Sequence, residues 1–201
     1  IDWFTTETGQ LLLDQERVAF ERLASQIFGF QLLQLGILNK HAPFLINSSI
    51  KRQTLVGQRI FTDVQNYLAA DVQNLPILSD SIDAVVLPHT LDFCRDPQQI
   101  LREVERVLVA EGRVLISGFN PVSLWGLVAK LKRNKSQVPW VGHFVSYTRL
   151  HDWLSLLGFD VEATEVFMFR PPLENKNIMY KLAFLERIGP RVWPRLGSVY
   201  M

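Results

Sequence analysis

The sequence predicts an α/β protein, a doubly wound α/β/α sandwich around a mainly parallel sheet. Three observations carry that expectation. Residues 82–87 (IDAVVL) are a short β-branched run of the kind a parallel sheet buries on both faces. A sharply punctuated amphipathic helix follows from Asp96, and after it comes a second apolar run, residues 113–117. Strand, helix and strand in one sheet imply a right-handed crossover. In such sheets ligands bind beyond the carboxyl ends of the strands.

Residues 10–28 read as a helix, because Leu12, Ala19, Leu23 and Ile27 recur at helical spacing and Gly29 supplies a stop. Residues 30–35 (FQLLQL) read as a buried first strand ending at Gly36. Residues 37–70 are poorly patterned. IKRQTLV and QRIFTDV suit short strands, while Pro43 and the polar cluster at 47–49 break any long helix. Order returns at Asp71.

Asp96 opens a helix with Pro97 at its first position, and Gln99 completes a capping-box pattern. Ile100, Leu101, Val104, Val107 and Leu108 form its apolar stripe, with Arg102, Glu103, Glu105 and Arg106 opposite. Glu111-Gly112 is expected to turn the chain into the strand at 113–117. Asn120-Pro121 reads as a turn that starts a helix over 123–132, followed by a basic, proline-punctuated loop through Trp140 and Gly142. A helix is expected over 147–157, stopped by Gly158, then a strand over 159–169, a helix over 177–188 and a closing strand from Gly197.

Composition bounds the function. At 201 residues the chain is expected to be one domain, 1–201, long enough to bury roughly 70% of its unfolded surface. Twenty-one basic residues against 20 acidic ones leave a net charge of +1, which demands neither a nucleic-acid nor a membrane partner. The lone Cys94 excludes an internal disulfide and suits a reducing, cytoplasmic compartment. No signal peptide is read at Ile1, and both ends look cut. The histidines at 41, 89, 143 and 151 form no metal-ligand spacing, so no metal is expected.

From Asp71 onward the chain resembles class I S-adenosylmethionine (SAM) methyltransferases, in the branch called methyltransferase type 11, and most of all an uncharacterised bacterial group within it. The resemblance rests on Asp71, Leu75-Pro76, Asp80, Asp83, Asp96-Pro97, Arg106-Val107-Leu108 with Gly112, and more loosely on Leu157-Gly158-Phe159. It implies a Rossmann-like sandwich with a seven-stranded sheet whose last strand is truncated at Met201, and a substrate-side insertion over 122–146. It implies SAM as cofactor and a small molecule as methyl acceptor. Asp71 would read the adenine amino group, with Val72 beside it. Leu87 and Pro88 would line the cofactor at the end of the fourth strand. His89, just beyond, is the candidate general base, since imidazole titrates near neutrality.

The first half departs from that family. Its first strand ends in an acid followed by a Gly-x-Gly loop. Here Gln34 stands in place of the acid, and Gly36 is the one glycine kept, with Leu38 and Lys40 in the other positions. Asp and Glu are absent from Arg22 through Thr62. Two helices and two strands of ordinary length need about 34 residues before any loop, so residues 37–70 are expected to hold a shortened or lost helix. These losses motivate an alternative, a catalytically inactive binding or interaction module on the same fold.

Overall fold

The computed structural model describes residues 2–36, 48–58, 65–132, 139–172 and 181–201. Among them, seven strands form one sheet in the order β3-β2-β1-β4-β5-β7-β6. They are β1 Gln31–Leu35, β2 Arg52–Gly57, β3 Tyr67–Ala69, β4 Ile82–Pro88, β5 Leu108–Phe119, β6 Val166–Phe167 and β7 Val199–Tyr200. β1 pairs in parallel with β2 and β4, and β2 in parallel with β3, whereas β7 is antiparallel to β5 and β6. This is the expected Rossmann-like α/β architecture. The helices are α1 Glu7–Ala24, α2 Pro97–Val107, α3 Leu124–Lys132, α4 Tyr147–Leu156 and α5 Leu185–Val192. None of the described helices is long and apolar enough to cross a membrane.

The chain packs as two compact units, residues 16–116 and residues 1–15 with 117–201. In the first unit β1 and β4 are the apolar centre, with Leu32, Leu33, Leu35 and Ala84 to Leu87 all buried. β1 starts where it does because Asp83 Oδ2 accepts the amide hydrogens of Phe30 (2.9 Å) and Gln31 (2.8 Å). Gly29 permits the close approach: its φ is +154°, and a Cβ there would lie 2.4 Å from that of Asp83. α2 buries Ile100, Leu101, Val104 and Val107. Each is worth about 1.5–3 kcal/mol, so packing rather than propensity holds the helix. Asp96 caps it, Oδ1 accepting the Gln99 amide at 3.0 Å. The other half of the capping box is not made, because Gln99 Nε2 donates to Gln73 O (3.2 Å) instead.

In the second unit an aromatic cluster forms the core. Trp125 is fully buried between Trp3, Phe119 and Trp140, with ring centroids at 5.6, 5.8 and 6.0 Å. Asn120 does more than turn the chain: Nδ2 donates to Arg195 O and Gly197 O, both at 2.9 Å, while Oδ1 accepts the Val122 amide.

Several element boundaries differ from expectation. α1 begins earlier, where Thr6 Oγ1 accepts the Gly9 amide (3.2 Å), and ends at Ala24 with Phe28 left exposed. The Glu111-Gly112 turn is absent, since Gly112 has no positive φ and β5 runs unbroken through it. The strand expected over 159–169 contracts to Val166–Phe167, and the last helix runs on to Val192. Residues 177–180 of that expected helix lie outside the described residues. Only residues 58–66 join β2 to β3, less than the roughly 10–12 residues of an ordinary parallel crossover. Residues 37–47 and 59–64, within the stretch expected to hold a shortened or lost helix, lie outside the described residues.

Candidate cofactor site

Four parallel strands end on the same edge of the first unit, so residues just beyond them come together. Asp71 follows β3, Gln58 follows β2, Gly36 follows β1, and His89-Thr90 follow β4. β2 lies on one side of β1 and β4 on the other, which makes the β1/β4 junction the topological switch point where α/β sheets bind ligands. Four hydrogen bonds tie this edge together. Ala70 N donates to Gly57 O (3.0 Å), Gln58 Nε2 to Asp71 Oδ1 (3.0 Å), Gly36 N to Val56 O (2.8 Å) and Thr90 Oγ1 to Leu35 O (2.6 Å).

At the β3 end Asp71 is exposed and Val72 buried. The Gln73 amide, then Gln58 and Asn74, hydrogen-bond the Asp71 carboxylate and hold its pKa below the usual value. The loop that follows is pinned by side chains of α2. Glu103 Oε2 accepts the Leu75 amide (2.8 Å), and Arg106 donates to Leu75 O (3.0 Å) and Ile77 O (2.9 Å). Glu103 and Arg106 are themselves paired at 2.8 Å. That bond lowers the carboxyl pKa and raises the guanidinium's.

At the β1 end Gln34 is buried, and its Nε2 donates to Gly36 O at 3.4 Å. Gly36 has φ +81°, and a Cβ on it would lie 2.7 Å from Thr90 Oγ1. Only glycine lets the chain leave β1 this way. Leu87 and Pro88 are buried at the end of β4. Leu38 and Lys40 fall outside the described residues.

His89 is fully buried, with a left-handed backbone at φ +50°. Nδ1 lies 2.8 Å from Asp92 Oδ2, and Nε2 lies 2.9 Å from Glu16 Oε1. The second distance is an ion-pair contact. Burial alone would push the imidazole pKa down. The charge of Glu16 and the contacts with both carboxylates outweigh it and raise it to about 9. At neutral pH the ring therefore favours its protonated form beside the two carboxyl groups. The general-base expectation meets a different geometry: a ring held on both nitrogens is not poised to take an acceptor's proton.

Glu16 and Asp92 are the charged side chains around His89 that sequence reading missed. The signal for Glu16 was present: it stands one helical turn after Leu12 and three residues before Ala19, so a charge sits on the apolar stripe of α1.

Fold and edge together define a class I methyltransferase fold. Residues 44–116 match the family described as "Methyltransferase domain". A protein of Escherichia coli (strain K12) called "Uncharacterized protein YafS" is 35% identical over 68% of this chain and 55% of its own length. The malonyl-[acyl-carrier protein] O-methyltransferase of Methylovorus sp. (strain MP688) is 29% identical over 79% of this chain and 51% of its own. The crystal structure of a SAM-dependent methyltransferase from Thermotoga maritima superposes with a TM-score of 0.63 at 20% identity, covering 87% of this chain and 83% of that one. At that identity the likeness concerns the fold. Over residues 44–116 the chain matches that methyltransferase family, on a class I methyltransferase fold. It spans about half the length of the curated relatives it matches.

SAM is the cofactor this family implies. It has a sulfonium and an ammonium near one end and an adenine at the other. The residues present fit it at the adenine end. Asp71 offers an exposed, ionised acceptor beyond β3. Glu16 is fully buried, and neither of its oxygens is open to solvent.

Proposed function

We propose that this chain transfers the methyl group of SAM to a small-molecule acceptor. The observation that carries the reading is the edge itself: Gly36, Gln58, Asp71 and Thr90 joined along the carboxyl ends of β1 to β4 in a chain of this family. Asp71 and Val72 take the adenine; Gln34, Gly36, Leu87 and Pro88 border the methionine part. Bound SAM supplies an electrophilic methyl on a sulfonium. The protein's task is then to align the acceptor with it, which needs few reactive side chains. His89 serves as a positioning residue, setting the end of β4 through its two carboxylate contacts.

Residues 122–146 are the insertion that selects the acceptor, and the whole chain works as one domain in a reducing cytoplasm. Methylovorus's relative is named for methylating an acyl-carrier-bound malonyl group. A carboxylate acceptor is already nucleophilic without losing a proton, so small carboxylates and their thioesters are the first acceptors to assay. The inactive-module alternative has only those sequence losses in its favour.

Isothermal titration with SAM and S-adenosylhomocysteine tests the reading. Saturable binding of both is expected, and no heat at millimolar ligand would overturn it. Radiolabelled methyl transfer to candidate acids then tests the acceptor class.

A further inference from the structure

We infer that α5, with the turn of residues 193–196 after it, docks on an anionic lipid surface. The first observation is an exposed apolar stripe. Phe184, Ile188 and Val192 stand four residues apart and so share one face of the helix. Each of them, like Trp193 and Leu196 in the turn beyond, is between 44% and 54% exposed. Large apolar side chains exposed singly need no explanation, but a group of them gathered on one helix marks an interaction surface.

The second observation is charge. Arg187, Arg191 and Arg195 recur at the same interval and are exposed. On the helix, Arg187 and Arg191 fall beside the apolar stripe rather than opposite it. None of the three arginines makes an ion pair among the described residues. The one acid of residues 181–201, Glu186, is engaged on the inner face. Its Oε2 accepts the Phe169 amide at 3.1 Å, and its Oε1 meets Arg170 Nε at 3.3 Å. Four basic residues against that acid give the segment a net charge of +3, in a chain whose total is only +1. The total demands no membrane partner, yet the positive charge is concentrated beside the apolar stripe.

The third observation is that the segment is already held in place. Gly189 is buried, and a Cβ there would run into the Phe169 ring. Trp193 N donates to Gly189 O at 2.8 Å and Leu196 N to Trp193 O at 2.9 Å. Asn120 holds the carbonyls of Arg195 and Gly197. The inner face is used in packing, and the outer face presents cations and apolar groups with little ordering left to do.

A lipid surface fits this pattern. A helix with an apolar face, flanking cations and a Trp lies along the headgroup boundary of a bilayer. Arginine stems run along apolar surface while the guanidiniums reach the anionic headgroups. A nucleic acid is bound by cations and stacking rings and would leave Ile188, Val192 and Leu196 unused.

Vesicle co-sedimentation of the full chain tests the inference. Vesicles of phosphatidylglycerol and phosphatidylcholine in equal parts are compared with vesicles of phosphatidylcholine alone. Wild type should bind the anionic vesicles at least tenfold more tightly, and half-molar salt should cut that binding at least tenfold. Arg187→Gln, Arg191→Gln and Arg195→Gln together should weaken it at least tenfold, and so should Val192→Ser with Trp193→Ser. These side chains are exposed, so melting temperatures near wild type are expected and are measured alongside. Should a variant unfold, the wild type's preference between vesicles and its salt dependence decide. No binding to anionic vesicles at millimolar lipid overturns the inference, as does equal binding to both kinds. Either folded variant binding within twofold of wild type overturns it too. Loss with the arginines alone would mean a purely ionic contact, such as an acidic protein makes. Dimerisation in light scattering that Val192→Ser with Trp193→Ser abolishes would assign the face to a second copy and sink the lipid reading.

Discussion

At the carboxyl end of β3 the charge is exposed and locally held, whereas at the β1/β4 end it is sealed and assembled from afar. Asp71 takes two of its partners, Gln73 and Asn74, from the turn it begins. His89 takes Asp92 from the turn beyond β4 but Glu16 from the helix that opens the chain, and all three are fully buried. Solvent screens an exposed carboxylate, so its exact neighbours matter little to stability. A buried cluster has no such relief, so each member depends on the others. The same edge therefore has a tolerant end and an intolerant one.

Breaking the intolerant end should have the largest effect. His89→Leu leaves Glu16 and Asp92 buried without their shared cation, and should cost about 3–5 kcal/mol in urea unfolding. Glu16→Gln should cost clearly less, because His89 and Asp92 remain paired. Equal losses would mean that the cluster's charge balance is not what stabilises it.

pH probes the same contrast without mutation. The folded pKa of His89, about 9, lies above its ordinary 6.5. Folding thus favours the protonated ring, and its stabilisation is complete below pH 6.5, declines above it and is gone once pH passes about 9. The change should be on the order of a few kcal/mol. Urea midpoints from pH 6 to 10 should fall for wild type, and the His89→Leu variant should lack that fall.

Arg106→Ala attacks the tolerant end from below. It removes the donors to Leu75 O and Ile77 O and the partner of Glu103. With the guanidinium about a third exposed, a loss of about 1–2 kcal/mol is expected. Amide exchange at Leu75 should accelerate while β1 and β4 stay protected. Spread of the effect into β1 would mean that the two ends are coupled. Asp96→Ala should be the mildest, costing about 1 kcal/mol through the lost cap of α2, read as a small drop in melting temperature.

What could be read from the chain followed the same divide. β4, α2 and the cap at Asp96 depend on periodicity and on residues three or four apart, so the sequence states them directly. Asp71 was legible for the same reason, and so was Gly36 at the end of a short apolar strand. Gly112 misled, because the turn it suggested locally was overridden by the extended β5. His89 was noticed by its type and place, but its two carboxylate neighbours were not. A histidine's chemistry depends on what faces each nitrogen, and neither partner is marked by spacing. Glu16 carried a signal as a charge on an apolar stripe, yet nothing in α1 says which element it will meet.

The sequence by itself determined the α/β class, the parallel centre of the sheet and the exposed acid beyond β3, since these follow from short-range patterns of apolar, turn and capping residues. Only the tertiary structure decided that a carboxylate from α1 reaches the end of β4 and that His89 is buried and favours its protonated form beside it. Burial and charge pairing are made between residues distant in the chain, and a pKa belongs to the place where a side chain ends up.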